Sequence, residues 1–240
     1  MQQLPLHMRL RDAARFANFV PGDNLEVLEA LTAPAGAGPR VLWLWGRAGT
    51  GKTHLLQAAC AAASASGPGA AYLDLHAAPA SGFLEGCETL DVVCLDGLDA
   101  VAADPDWNAA LFRLYTLLQD GNGRLVVASA APPASLPLVL PDLRSRLLAA
   151  SVHQLVELDE TGQCSALQRR AAASGLELTP EAALYLVHRL PRDMHSLFGV
   201  LDQLDRASLV AQRRLTIPFL REALESRQKS DRAFAPDPGL

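Results

Sequence analysis

Lysine is almost missing from this sequence. Of its 21 basic residues only Lys52 and Lys229 are lysines, and arginine fills every other place that needs a positive charge. An ammonium is a compact, rotatable point charge and a guanidinium a rigid fork, so a lysine kept in an arginine-writing chain is informative about its position. Missing too is any basic excess. A net charge of -5 and a pI near 5.7 argue against a domain that coats nucleic acid, so DNA, where it is involved, is reached mainly through a partner. There is no CxxC pair, and Cys60, Cys87, Cys94 and Cys164 have no His or Cys at metal-ligand spacing, which leaves reduced, buried thiols. No apolar run approaches the roughly 18 residues of a membrane span. The start, "MQQLPLHMRLRD", lacks the apolar core of a signal peptide, so the expected compartment is the cytoplasm.

What is present is a core. The 240 residues are 50% hydrophobic with a mean hydropathy of +0.12, enough for one sizeable domain and a smaller second one. "VLWLW" (41–45), "AAYLDL" (70–75), "DVVCLD" (91–96) and "RLVVAS" (124–129) are short apolar runs bounded by Gly, Pro or charge, and each reads as a buried strand. Between them lie helical patterns at 52–65 and 106–120, the latter with apolar residues at 107, 111, 114, 115 and 118. Alternating strands and helices imply a parallel sheet covered on both faces. After "VHQLVEL" (152–158) the pattern turns to helices only, near 160–174, 180–190, 194–212 and 216–226, with Pro180 and Pro218 at helix starts. The expected division is a flexible peptide at 1–12, an α/β domain at 13–158, a small all-helical lid at 159–226 and a polar, disordered tail at 227–240.

Within "GRAGTGKTH", Gly46, Gly51, Lys52 and Thr53 fit the phosphate-loop pattern, after a strand and opening a helix. The glycines let backbone N–H groups wrap phosphates, the helix N-terminus adds its positive end, Lys52 reaches the β- and γ-phosphates, and Thr53 is placed to ligate Mg²⁺. Gly49 and His54 belong to the same nucleotide-binding stretch. ATP or ADP with Mg is the expected ligand. A metal-ordering acid should end another apolar strand, and "VVCLD" supplies Asp96. Many AAA+ ATPases place a second carboxylate directly after this one to activate water; here that position is Gly97, and Asp99 lies two residues on. General-base help worth about 10²- to 10⁴-fold is absent at 97.

Taken together, "FANFVPGDN" (16–24), the loop at 46–53, "VVCLDGLDA" (92–100), "RLVVASAAPP" (124–133) and "LPDLRSRL" (140–147) resemble the AAA+ core of the DnaA-type replication initiators, a likeness that runs on through the lid to "RRLTIPFLREAL" (213–224). The resemblance implies an AAA+ P-loop module with a five-stranded parallel sheet flanked by helices, followed by the lid. Initiators carry a further DNA-reading domain after the lid, and this chain stops about fifteen residues past the last expected lid helix.

The start "QLPLHM" and the lid segment "DMHSLFGVLDQLDRASLVAQRRLTIPF" are similar to a regulatory branch of that family, in which a single AAA+ module docks on the DNA polymerase sliding clamp and inactivates the initiator. On that likeness Gln3, Leu4, Leu6 and Met8 match a clamp-binding peptide, Arg146 the arginine finger that acts in trans on the initiator's ATP with Arg144 as its neighbour, and Ser129 the polar sensor of a γ-phosphate. The lid's sensor arginine is replaced by His195, and Arg192 is one helical turn earlier. "GDN" with Phe16 and Phe19 matches a segment beside the adenine, although core packing serves those phenylalanines as well. The implied partners are DnaA and the clamp, with self-association open, in a bacterial cytoplasm and near the nucleoid through those partners. The implied activity is a weak ATPase at most, acting as a regulatory adaptor. An active AAA+ loader or recruiter of replication proteins, a small-molecule P-loop kinase and an origin binder are the alternatives, the first opposed by Gly97 and His195.

Overall fold

The computed structural model describes residues 14–34, 37–66, 69–191, 193–208 and 214–222, and the chain divides into two compact units between Glu157 and Leu158. The 1–12 peptide and the 227–240 tail lie outside the described residues.

The first unit is built on five parallel strands, β1 (Val41–Trp45), β2 (Ala70–Asp74), β3 (Val92–Asp96), β4 (Arg124–Ser129) and β5 (Ser151–Gln154), in the order β2-β3-β4-β1-β5. The apolar runs are strands because both faces of the sheet are covered, so each run is buried throughout instead of alternating. In β1, Leu42, Trp43 and Leu44 are all fully buried. Trp43 joins the cluster formed with α3 (Pro105–Asp120) and α4 (Pro141–Leu148), through Trp107, Leu111, Leu114, Leu118, Leu143 and Leu147. Leu42 and Leu44 join the opposite cluster, with Val27 and Leu31 of α1 (Leu25–Thr32) and Leu55, Leu56, Ala59 and Cys60 of α2 (Lys52–Ser66). Each such leucine contributes about 1.5–3 kcal/mol of burial. The indole N–H of Trp43 donates to the Ala131 carbonyl at 3.2 Å, so this central aromatic leaves no polar atom unmet.

Local chemistry starts and stops the helices. Asp104 caps α3, accepting from the N–H groups of Asp106 and Trp107, and Pro105 takes the first helical position, where a missing N–H costs nothing. One turn later the buried Asn108 donates to the carbonyls of Ala102 and Asp104 and accepts from the N–H groups of Val139 and Leu140. A single amide thus ties α3 to the lead into α4.

Register brings the carboxyl ends of the strands level: Asp74 pairs with Asp96, Asp96 with Ala128, and Trp45 with Ser129. In such a sheet the crevice outside these ends is where ligands bind.

The second unit contains α5 (Glu160–Ala173), α6 (Pro180–Arg189) and α7 (Met194–Ser208), and residues 217–222 are also helical. Asp159 and Thr179 cap α5 and α6 through their side chains. The helical reading is amended by one feature: β6 (Glu177–Leu178) and β7 (Arg214–Leu215) form a two-residue parallel pair. Within this unit Arg170 pairs with Asp202 at 2.8 Å and lies over the Phe198 ring.

Candidate functional site

The phosphate loop connects β1 to α2. Gly46 has φ +152°, and a Cβ there would overlap the carbonyl oxygen of Leu155, so nothing but glycine fits without moving the backbone that leaves β5. Gly49 and Gly51 also have positive φ, and a Cβ on Gly51 would stand 2.8 Å from the Phe19 ring. Phe19 is therefore both a core residue and the wall behind the loop; Phe16 packs on the same cluster. Lys52 folds back over the loop, its Nζ donating to the carbonyls of Gly46 at 2.6 Å and Arg47 at 2.7 Å. Burial lowers the Lys52 pKa, and the charges of Asp96 and Asp99 oppose that fall. His54 Nε2 lies 3.0 Å from the Arg15 carbonyl, and its ring centre is 5.8 Å from that of Phe19.

Asp96 ends β3 and is buried. Its Oδ2 accepts from the Thr53 hydroxyl at 2.6 Å and from the Tyr72 hydroxyl at 2.9 Å. The two residues read as metal-ordering, Thr53 and Asp96, are therefore in direct contact, a hard-oxygen pair that fits Mg²⁺. Tyr72 carries no motif; only the pairing of β2 with β3 brings it to Asp96. Burial first and Asp96 second push its hydroxyl far above the ordinary tyrosine pKa.

Gly97 has φ +76° in the left-handed region, and a Cβ there would overlap the imidazole of His76. His76 follows β2, its own N–H donating to Asp74 at 3.0 Å. The volume a residue-97 side chain would enter is thus filled from 21 residues upstream, which no local pattern announces. Asp99 sits on the short 3-10 turn Leu98–Ala100 and accepts the Ala130 N–H at 2.9 Å. Ser129, almost fully buried, donates to the Ala131 carbonyl.

Of the "GDN" stretch, Asn24 is a buried pin: it donates to the carbonyls of Pro21 and Val156 and accepts the Val156 N–H at 2.8 Å. Arg146 is half-buried on α4, its guanidinium over the rings of Phe112 and Tyr115 and 3.5 Å from the Thr116 hydroxyl. Arg144 is exposed and reaches the Ala134 carbonyl at 3.3 Å. In the second unit, His195 is exposed in the first turn of α7, where Asp193 accepts the Ser196 N–H; that bond holds the Asp193 pKa below the ordinary value, with His195 a smaller cause. Arg192, Gln3, Leu4, Leu6 and Met8 lie outside the described residues.

Residues 159–224 match the family described as "Hda, lid domain". Among solved structures, domain III of the Thermotoga maritima replication initiation protein DnaA is 19% identical, with a TM-score of 0.74, the match covering 90% of this chain and 97% of that one. AMPPCP-bound DnaA from Aquifex aeolicus is 22% identical, with a TM-score of 0.69, covering 94% of this chain and 71% of that one. The RuvB Holliday junction branch migration motor of Thermotoga maritima follows at 18% and 0.59, covering 88% and 73%. These likenesses show the AAA+ fold. Residues 159–224 are thus similar to the Hda lid domain, and they follow a phosphate-loop unit of the AAA+ fold.

Proposed function

We propose that this protein is a nucleotide-holding regulatory adaptor of replication initiation, which docks on the DNA polymerase sliding clamp and stimulates hydrolysis of the ATP bound to DnaA, preventing re-initiation. The observation that carries the reading is the Hda lid domain at residues 159–224. The AMPPCP-bound state of the Aquifex DnaA supports a nucleotide in the matching loop here. Gly46, Gly49, Gly51 and Lys52 would cradle its phosphates beside His54, and Thr53 with Asp96 would hold Mg²⁺, which neutralises phosphate charge when bound. Ser129, His195 and Arg192 are assigned to sensing the nucleotide.

Arg146 is the group that acts on the partner. A guanidinium presented across a subunit boundary stabilises the charge that develops on a transferring γ-phosphoryl group, an effect worth about 10³- to 10⁵-fold. Its place in the last turn of a short helix, half-buried and backed by two aromatic rings, favours such presentation. The filled space at Gly97 supports slow hydrolysis in cis and weighs against a loader. Gln3, Leu4, Leu6 and Met8 are assigned to the clamp, and DNA is reached through the partners.

The test is hydrolysis of ATP pre-bound to DnaA, with clamp loaded on DNA, in the presence and absence of this chain. Acceleration that requires the clamp and is lost when Leu4 and Leu6 become alanine is the expected result. No acceleration under any of these conditions rejects the adaptor.

A further inference from the structure

The turn after β3 brings a carboxylate back to the place where Gly97 supplies none. Gly97 adopts the left-handed conformation, Leu98 is buried as an anchor, and the 3-10 turn that begins at Leu98 carries Asp99 toward β4. There one carboxylate oxygen accepts the N–H of Ala130, the residue next to Ser129, which fixes the side chain at the carboxyl edge of the sheet. Among the described residues its second oxygen takes no hydrogen bond. Opposite, the His76 ring closes the volume at Gly97, so a carboxylate can reach this edge from position 99 and not from 97.

We infer that Asp99 is the catalytic carboxylate of this module, accepting the proton of the water that attacks a bound nucleoside triphosphate. The inference rests on the nucleotide-binding reading of the phosphate loop. The water gives one proton to Asp99, its oxygen bonds the γ-phosphorus, and the bond from that phosphorus to the β,γ-bridging oxygen breaks. The electron pair stays on the diphosphate, and the proton leaves Asp99 for the released phosphate or solvent. The charge of Asp99 reaches Lys52, as that of Asp96 does, which agrees with a position at the phosphate end of the site. An acid reached through an extra turn, on a shorter side chain than the glutamate common at such sites, gives slow turnover. The protein therefore converts its own ATP to ADP on a slow clock and then holds the product.

The test compares the full-length wild type with Asp99→Asn and Asp99→Ala. Asparagine keeps an oxygen that can accept the Ala130 N–H and removes only the basicity; alanine removes both. Affinity is read with a fluorescent ADP analogue, conversion by single turnover of γ-labelled ATP, and the resident nucleotide by chromatography after incubation with ATP and desalting. Asp99→Asn should bind within about twofold of wild type, melt at the same temperature, convert ATP about 100-fold more slowly and be recovered with ATP where the wild type carries ADP. Conversion by Asp99→Asn at the wild-type rate overturns the assignment, also if Asp99→Ala alone is slow, because that pattern belongs to an anchor. A wild type that binds nucleotide yet converts none of it overturns it as well. A wild type that binds no nucleotide rejects the phosphate-loop reading itself, a separate failure visible in the affinity measurement.

Discussion

The guanidinium carbon of Arg146 stands 4.7 Å from the centre of the Phe112 ring and 5.4 Å from that of Tyr115. A half-exposed stack of this kind is worth roughly 0.5–1 kcal/mol, so the arginine is held in place without being needed for the fold. Arg146→Ala should therefore melt within a few degrees of wild type and bind nucleotide normally, while stimulation of DnaA-bound ATP hydrolysis falls about 10³-fold. Arg146→Lys should not restore it, because a point charge reproduces neither the fork nor the stack. Full stimulation by Arg146→Ala would move the acting arginine to Arg144 or elsewhere.

Lys52 is the one lysine in the site, and its two bonds to loop carbonyls show that Nζ reaches the hollow of the loop. Charge-assisted hydrogen bonds contribute about 1.5–3 kcal/mol, so Lys52→Ala should raise the ADP dissociation constant about 10- to 100-fold by isothermal titration. An unchanged constant would place the nucleotide elsewhere.

Asn108 should be a stability residue despite its polarity. Asn108→Ala strips an acceptor from the N–H groups of Val139 and Leu140, and the expected loss is about 1–3 kcal/mol in urea unfolding. Because those two residues lead into α4, stimulation of DnaA should fall too, and Arg146→Ala should then add little.

Stability should decline on the alkaline side. Burial pushes the Cys87 thiol from 9.0 to about 11, and lifts Cys94 and Tyr72 further. The folded state thus holds protons that the unfolded chain gives up, so the stability these groups provide is intact below pH 9 and lost as pH rises through 11 and beyond. Melting temperature measured from pH 7 to 11 should drop above 9, and Cys87→Ala should soften the first part of the drop. A flat profile would contradict the burial of these groups.

The strands and the phosphate loop were legible because their signals are local: unbroken apolar runs, glycine at fixed spacing, a lysine where lysine is rare. Contacts made by pairing were not. His76 meets Gly97, and Tyr72 meets Asp96, only because β2 lies beside β3 in register, and sequence distance hides both. Asn24 read as part of a nucleotide-side motif, whereas its amide spends its bonds on Pro21 and Val156. The β6–β7 pair escaped because two residues are too few to show a period.

The carbonyl of Leu155 that excludes a side chain from Gly46 belongs to the last stretch of backbone before the second unit, and Val156 beside it is fastened to Asn24. The Leu155 N–H donates to the Trp45 carbonyl at 2.7 Å, so tension applied to the chain at the end of the first unit would reach the residue that leads into the phosphate loop. Leu155 is in that sense a lever with its fulcrum at Asn24: loosening the fulcrum should alter how fast nucleotide leaves without touching any group that holds it.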